Sequence, residues 1–148
     1  VNIPVPEKPA LADENSVEGL EAFTTWWFEL LNYAYATNDL EPLKAVTDPE
    51  CGTCSNITGS IGEAFAKDGW VVGNEIQVEN FDSEFEQNVH GSVSSFITIT
   101  QQSATYYASD GTLLNETPGF TDPDLNELIA FYENRAWRLL DVGAVNVD

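Results

Sequence analysis

The sequence predicts an α+β fold: three N-terminal helices packed on a curved, mostly antiparallel sheet of about five strands. Three observations carry this reading. Apolar residues recur at spacings of three and four as far as about Lys67, and alternate with a period of two beyond Gly69. Turn signals divide the second half, Asp110-Gly111 being the clearest hairpin dipeptide. Helical and strand segments are segregated along the chain, unlike the βαβ alternation that builds a parallel sheet.

Residues 1–16 contain Pro4, Pro6 and Pro9 with little apolar periodicity, and read as a semi-rigid extended linker ahead of a single domain over 17–148. Ser16 can cap a helix, with Glu18 and Glu21 favourable in its first turn. Phe23, Trp26, Trp27, Leu30, Leu31 and Ala34 then fall on one helical face that runs to about Thr37, where Asn38-Asp39 breaks it. A short second helix near Leu40 to Val46 buries Leu40, Leu43 and Val46, and Asp48-Pro49 stops it. The third helix is expected from Cys54 to Lys67, with Ile57, Ile61, Ala64 and Phe65 inward and Asp68-Gly69 at its end.

Strands are expected at Trp70 to Val72, at Glu75 to Phe85, and in one long run from Val89 to Tyr107. In that run Val89, Val93, Ile97 and Ile99 share the face opposite His90, Ser92, Ser94 and Phe96. A returning strand starts at Thr112 to Asn115 and meets the Pro118-Gly119 turn. Glu127 to Glu133 and Ala136 to Val145 complete the set, joined tightly at Glu133-Asn134-Arg135. Helices laid over one face of such a sheet leave a conical opening.

Charge restricts the partners. The 148 residues carry 25 Asp and Glu against five cations, a net charge of −20. Nucleic-acid binding needs a cationic patch and anionic lipid repels such a surface, so neither is a partner. Solubility and a monomeric state are the plain consequences of the charge; cationic partners and divalent ions are the alternative. At 43% hydrophobic residues the chain is too apolar to be disordered, and no apolar run approaches a membrane span. Met is absent even at position 1, which marks a processed or trimmed piece whose signal or anchor lies out of view.

Several ordered pieces carry a resemblance to known proteins. They are the Pro-rich lead, Ala22-Phe-Thr-Thr-Trp-Trp-Phe, Tyr33-Ala-Tyr-Ala-Thr-Asn-Asp, Pro49-Glu-Cys-Gly-Thr-Cys54, Gly69-Trp-Val-Val-Gly73 and the closing Trp137-Arg-Leu. The order of elements resembles the NTF2-like, cone-shaped α+β fold. More narrowly, the chain from Glu14 to Val145 resembles a domain-of-unknown-function family of actinobacterial lipoproteins. The resemblance implies an envelope location, a cleaved lipoprotein signal peptide and a lipid anchor upstream, although the lipidated cysteine is not in this chain. It brings no known activity and no functional residue.

Cys51 and Cys54, the only cysteines, carry the clearest chemistry. Their spacing suits a redox dithiol, half of a zinc site or a short structural disulfide. Zinc would need two further ligands, and with His90 the only histidine the site would have to use carboxylates as well. A redox role gains from a helix N-terminus but is opposed by Asp48 and Glu50, and no βαβ pattern precedes the motif. A structural disulfide pinning the third helix is the favoured reading, and any disulfide points to an oxidising compartment.

The other candidates each meet a plainer competitor. Trp26, Trp27, Tyr33 and Tyr35 could line a ligand pocket at the mouth of the cone, stacking on a flat molecule, or simply pack the core. His90 beside Ser92 and Ser94 is a base without a carboxylate partner, hence a surface histidine. Asp82, Glu84 and Glu86 share one strand face and should meet water. Asp122, Asp124, Asn126 and Glu133 fit positions 1, 3, 5 and 12 of an EF-hand calcium loop, but position 6 is Glu127 where that loop needs glycine; a turn leading into a strand is the alternative. Asn56-Ile-Thr and Asn115-Glu-Thr match the N-glycosylation pattern, which matters only in a eukaryotic source.

The expected function is a non-catalytic, extracytoplasmic binding or accessory domain of a cell-envelope lipoprotein, without cofactor or resident metal. Its partner is a small molecule or an envelope protein, it meets the membrane only through an upstream lipid anchor, and it is a monomer or homodimer. The rivals are an NTF2-like enzyme doing acid–base chemistry on a small apolar ligand in the cone, and a thiol oxidoreductase using Cys51 and Cys54.

Overall fold

Ser16 opens the first helix by accepting the Gly19 N–H on its side chain at 3.0 Å, while its own backbone stays extended. The computed structural model of the protein describes residues 4–66, 69–73, 75–87 and 91–144. Helix α1 (Val17–Thr37) ends at Asn38, which turns left-handed with φ 63° and donates its N–H to the Ala34 carbonyl at 2.8 Å. Phe23, Trp26, Trp27, Leu30, Leu31 and Ala34 are all buried, as their spacing predicts. Helices α2 (Glu41–Ala45) and α3 (Gly52–Ala66) follow. The start of α3 falls two residues before the expected Cys54 because the sulfur of Cys51 accepts the Cys54 N–H at 3.2 Å and organises the first turn.

Among the described residues seven strands follow, where about five were expected: β1 (Trp70–Gly73), β2 (Ile76–Asp82), β3 (Val93–Gln101), β4 (Ala104–Tyr107), β5 (Leu113–Thr117), β6 (Phe120–Glu133) and β7 (Ala136–Ala144). They form two antiparallel sheets, ordered β2-β3-β6-β7 and β1-β4-β5. One of the extra strands has a clear cause. The run expected as a single strand to Tyr107 breaks at Gln102-Ser103, where the chain leaves the larger sheet for the smaller one.

That corner needs two glycines from elsewhere. A Cβ on Gly119 would lie 2.4 Å from the Gln101 carbonyl oxygen and 2.5 Å from the Ser103 nitrogen. One on Gly73, already at φ +85°, would lie 2.2 Å from the Ser103 carbonyl oxygen. Backbone cannot swing away as a side chain can. Gly119→Ala is therefore expected to lower stability by about 1–3 kcal/mol. A urea melt reads this as a lower midpoint at unchanged slope; an unchanged midpoint would contradict the close approach.

The core lies between α1 and the four-stranded sheet. Period-two alternation sends Val93, Ile97 and Ile99 of β3 inward, with Leu128 and Ala130 of β6 and Trp137 and Leu139 of β7; the β6–β7 register shift after Leu139 then brings Val142 inward. Phe23, Trp27, Leu30 and Leu31 of α1 join them in one buried cluster, so the space between this helix and the sheet is packed with side chains. Asn32 docks α1 on the sheet edge. Its amide donates to the Ile76 carbonyl and its oxygen accepts the Ile76 N–H, both at 2.9 Å, standing in for a neighbouring strand.

Two further expectations are corrected. The Pro-rich lead is docked on the domain from Pro6 onward and does not act there as a free linker. Trp26 Nε1 donates to the Pro6 carbonyl (3.1 Å), Trp137 Nε1 to that of Glu14 (2.9 Å), and Tyr132 Oη to that of Asp13 (2.7 Å). A 3-10 turn at Ala10–Asp13 buries Ala12, and Lys8 pairs with Asp13 over the Trp26 ring. Second, Asp122 to Glu133 is not a loop but part of β6. Asp122 and Glu133 are separated by eleven steps along a strand, roughly 36 Å, so Asp122, Asp124, Asn126 and Glu133 cannot close around one calcium ion. Among the described residues β7 pairs with β6 from Asn126 onward, and the β3–β6 register shifts between Ile99 and Gln101, opposite the segment that holds Pro123.

Candidate functional site

Only two residues, Gly52 and Thr53, separate Cys51 from Cys54, and α3 begins between them, so their sulfurs meet across its first turn. They form a disulfide. Both cysteines are buried, at 1% and 5% exposure. Asp141 Oδ1 lies 3.7 Å from Cys51 Sγ, where a carboxylate opposes thiolate formation. A nucleophilic thiol needs the opposite surroundings, so burial and charge favour the shape-holding role for this pair.

The stretch between α2 and α3 is stitched to the edge of β7. Leu139 donates its N–H to Val46 (2.9 Å), and Asp48 donates its own to Leu139 (2.7 Å), making a parallel bridge at Thr47. Thr47 is fixed from the core side as well. Its hydroxyl accepts Trp27 Nε1 at 2.9 Å and donates to the Leu43 carbonyl at 2.6 Å. Because Leu139 points inward, its neighbour Arg138 points out.

These constraints leave a cleft of about 410 Å³ between α2, the connection to α3, the first turns of α3, and β7. Leu43, Pro49 and Cys54 supply apolar lining; Thr47, Ser55 and Thr58 supply hydroxyls. Lys44, Arg138 and Asp48 bring charge. Arg138 reaches Asp48 Oδ2 at only 3.9 Å, a loose and half-exposed pair, while Asp48 Oδ1 accepts the Glu50 N–H at 2.8 Å. The volume lies within the range of small-ligand sites.

The four aromatics expected around one pocket do not converge. Trp27 is a core residue tied to Thr47, whereas Trp26 turns to the docked lead and to a shallow groove with Leu11, Glu18 and Glu29. Tyr33 donates to Asp39 Oδ2 at 3.1 Å, and partial burial with that carboxylate pushes its phenol up from its usual value, keeping it a donor. Tyr35 is buried. Two adjacent indoles on a helix point about 100° apart, which is why α1 cannot aim both at one ligand. His90 lies outside the described residues; Ser92 is buried and Ser94 half-buried. Asp82, Glu84 and Glu86 are exposed, as expected. Among the described residues no group of three or more His, Cys, Asp or Glu is placed to hold a metal, and no helix is long and apolar enough to cross a membrane. Lys44 and Arg138 were not singled out from the sequence; the signal available was the scarcity of cations.

The class thus defined is an α+β domain with helices over an antiparallel sheet and a surface cleft beside a buried disulfide. The chain belongs to a family of unknown function, DUF6318, whose profile matches residues 1–143. No curated protein matches its sequence. Among solved structures, the intermembrane space region of the chloroplast protein ARC6 is similar at TM-score 0.54 and 12% identity, covering 89% of this chain and 98% of its own. An uncharacterised protein with a cystatin-like fold from Caulobacter vibrioides reaches 0.49 at 16% identity, covering 90% and 92%. Aln2 from a Streptomyces species reaches 0.44 at 12% identity, covering 84% and 88%. At such identity the first of these likenesses speaks for the fold alone.

Proposed function

We propose that this is a non-catalytic, extracytoplasmic NTF2-like domain of an actinobacterial cell-envelope lipoprotein, acting by binding a small molecule or an envelope protein. The observation that carries the reading is the buried Cys51–Cys54 disulfide, because such bonds persist in oxidising compartments. The net charge of −20 suits a domain held in solvent beside a membrane, tethered through a lipid anchor upstream. Binding is placed at the surface cleft, since aromatic and aliphatic side chains fill the interior between α1 and the sheet. The domain works as a monomer or homodimer without a resident cofactor.

Labelling intact producing cells with a membrane-impermeant amine reagent tests the location through the exposed Lys44. Modification before lysis is the expected result. Labelling that appears only after lysis would contradict the envelope location.

A further inference from the structure

We propose that the cleft between α2, α3 and β7 binds a carboxylate that carries a short apolar chain. The proposal deepens the binding function above and rests on it.

Cation placement is the first argument. The chain has five Lys and Arg among 25 acids, so carboxylate partners are abundant everywhere on its surface. The Lys44 ammonium nevertheless has no ion-pair or hydrogen-bond partner among the described residues, and the Arg138 guanidinium has only the loose contact with Asp48. Both cations line the same cleft. With Asp48 opposing them, the cleft carries a local charge of about +1 on a strongly acidic molecule. Such a site selects an anion by short-range contact and not by long-range attraction, because the molecule as a whole repels anions. A guanidinium matches the two oxygens of a carboxylate, and the ammonium of Lys44 adds a movable point charge.

The lining is the second argument. Leu43, Pro49 and Cys54 form an apolar wall beside the charges, and Thr47 is locked in place by Trp27. An inorganic anion would leave that wall uncovered, whereas a branched aliphatic chain would bury it. The same chemistry is presented by a free short-chain acid and by the C-terminus of a peptide ending in leucine.

Amide NMR titration of the purified, oxidised chain tests this with named probes: 4-methylpentanoate, its neutral amide, 3-methylbutylamine, and acetyl-Ala-Ala-Leu as acid and as amide. Shifts at Thr47, Asp48, Ser55 and Thr58 with the acids, and not with the amides or the amine, are expected. A stronger response to the peptide acid than to 4-methylpentanoate assigns the carboxylate to a chain terminus; the reverse assigns it to a free acid. Lys44→Gln and Arg138→Gln should each weaken binding roughly tenfold, while Arg135→Gln, in the β6–β7 turn, should change nothing. Asp48→Asn should strengthen binding several-fold, because it removes the competing carboxylate and keeps an oxygen for the Glu50 N–H. Equal responses to acid and amide, silence at these amides, or weaker binding in Asp48→Asn would overturn the proposal. Failure here in a chain that labels from outside the cell removes the ligand and leaves the location standing; labelling only after lysis removes the location instead.

Discussion

Trp137→Ala is expected to cost about 3–5 kcal/mol, lowering the melting temperature by on the order of 10 °C. Trp137 is almost fully buried on β7, edge-on to Tyr132 at 5.1 Å and to Phe85 at 6.0 Å between ring centroids. Its indole N–H also holds the Glu14 carbonyl, so the substitution opens a cavity and releases the docked lead together. Trp137→Phe shifts the balance toward the bond: most of the ring packing remains while the hydrogen bond is lost together with part of the indole volume, at about 1–3 kcal/mol. Limited proteolysis of this variant should cut the lead between Pro6 and Asp13 faster than in the parent chain. Equal cutting rates would show that the lead is held by something other than this bond.

Trp27→Ala should be comparably severe, at about 3–5 kcal/mol, because the ring lies at 1% exposure against Phe28. The consequence reaches further than the core. Thr47 loses the donor that fixes its hydroxyl from behind, and Thr47 lines the cleft. Trp27→Phe is therefore expected to lower stability by only about 1–2 kcal/mol while moving the Thr47 and Asp48 amide resonances. If those resonances stay in place, the core does not position the cleft.

Legibility followed the range of the determining contacts. Helix α1 could be read residue by residue because cap, apolar stripe and stop are local and agree: Ser16, the Phe23-to-Ala34 face and Asn38. The β6–β7 turn was equally plain, since Glu133-Asn134-Arg135 separates two strand-like runs, and Asn134 and Arg135 both adopt positive φ there. The corner at Gln102-Ser103 was hidden. The pair holds no Gly, Pro, Asn or Asp, and the glycines that permit it, Gly73 and Gly119, sit on other segments. Asp122-Pro-Asp gave the opposite error: a genuine local turn signal, overruled by pairing with β3. The docked lead was invisible because its anchors are backbone carbonyls, whose partners Trp26, Tyr132 and Trp137 come from distant positions. For the cleft, the cysteine pair was legible from spacing. The meeting of Lys44 with Arg138 depends on the parallel bridge between Thr47 and Leu139, which no sequence pattern announces.

The state of the two thiols in the living cell bears most directly on the account. Producing cells are quenched in acid, the chain is alkylated under denaturing conditions without reductant, and its intact mass is measured. An unalkylated chain, two hydrogens lighter than its reduced form, is the predicted result, with Cys51 and Cys54 recovered joined in one peptide. Two alkyl groups on freshly quenched protein would place the chain in a reducing compartment and contradict both the envelope location and the shape-holding role of the bond.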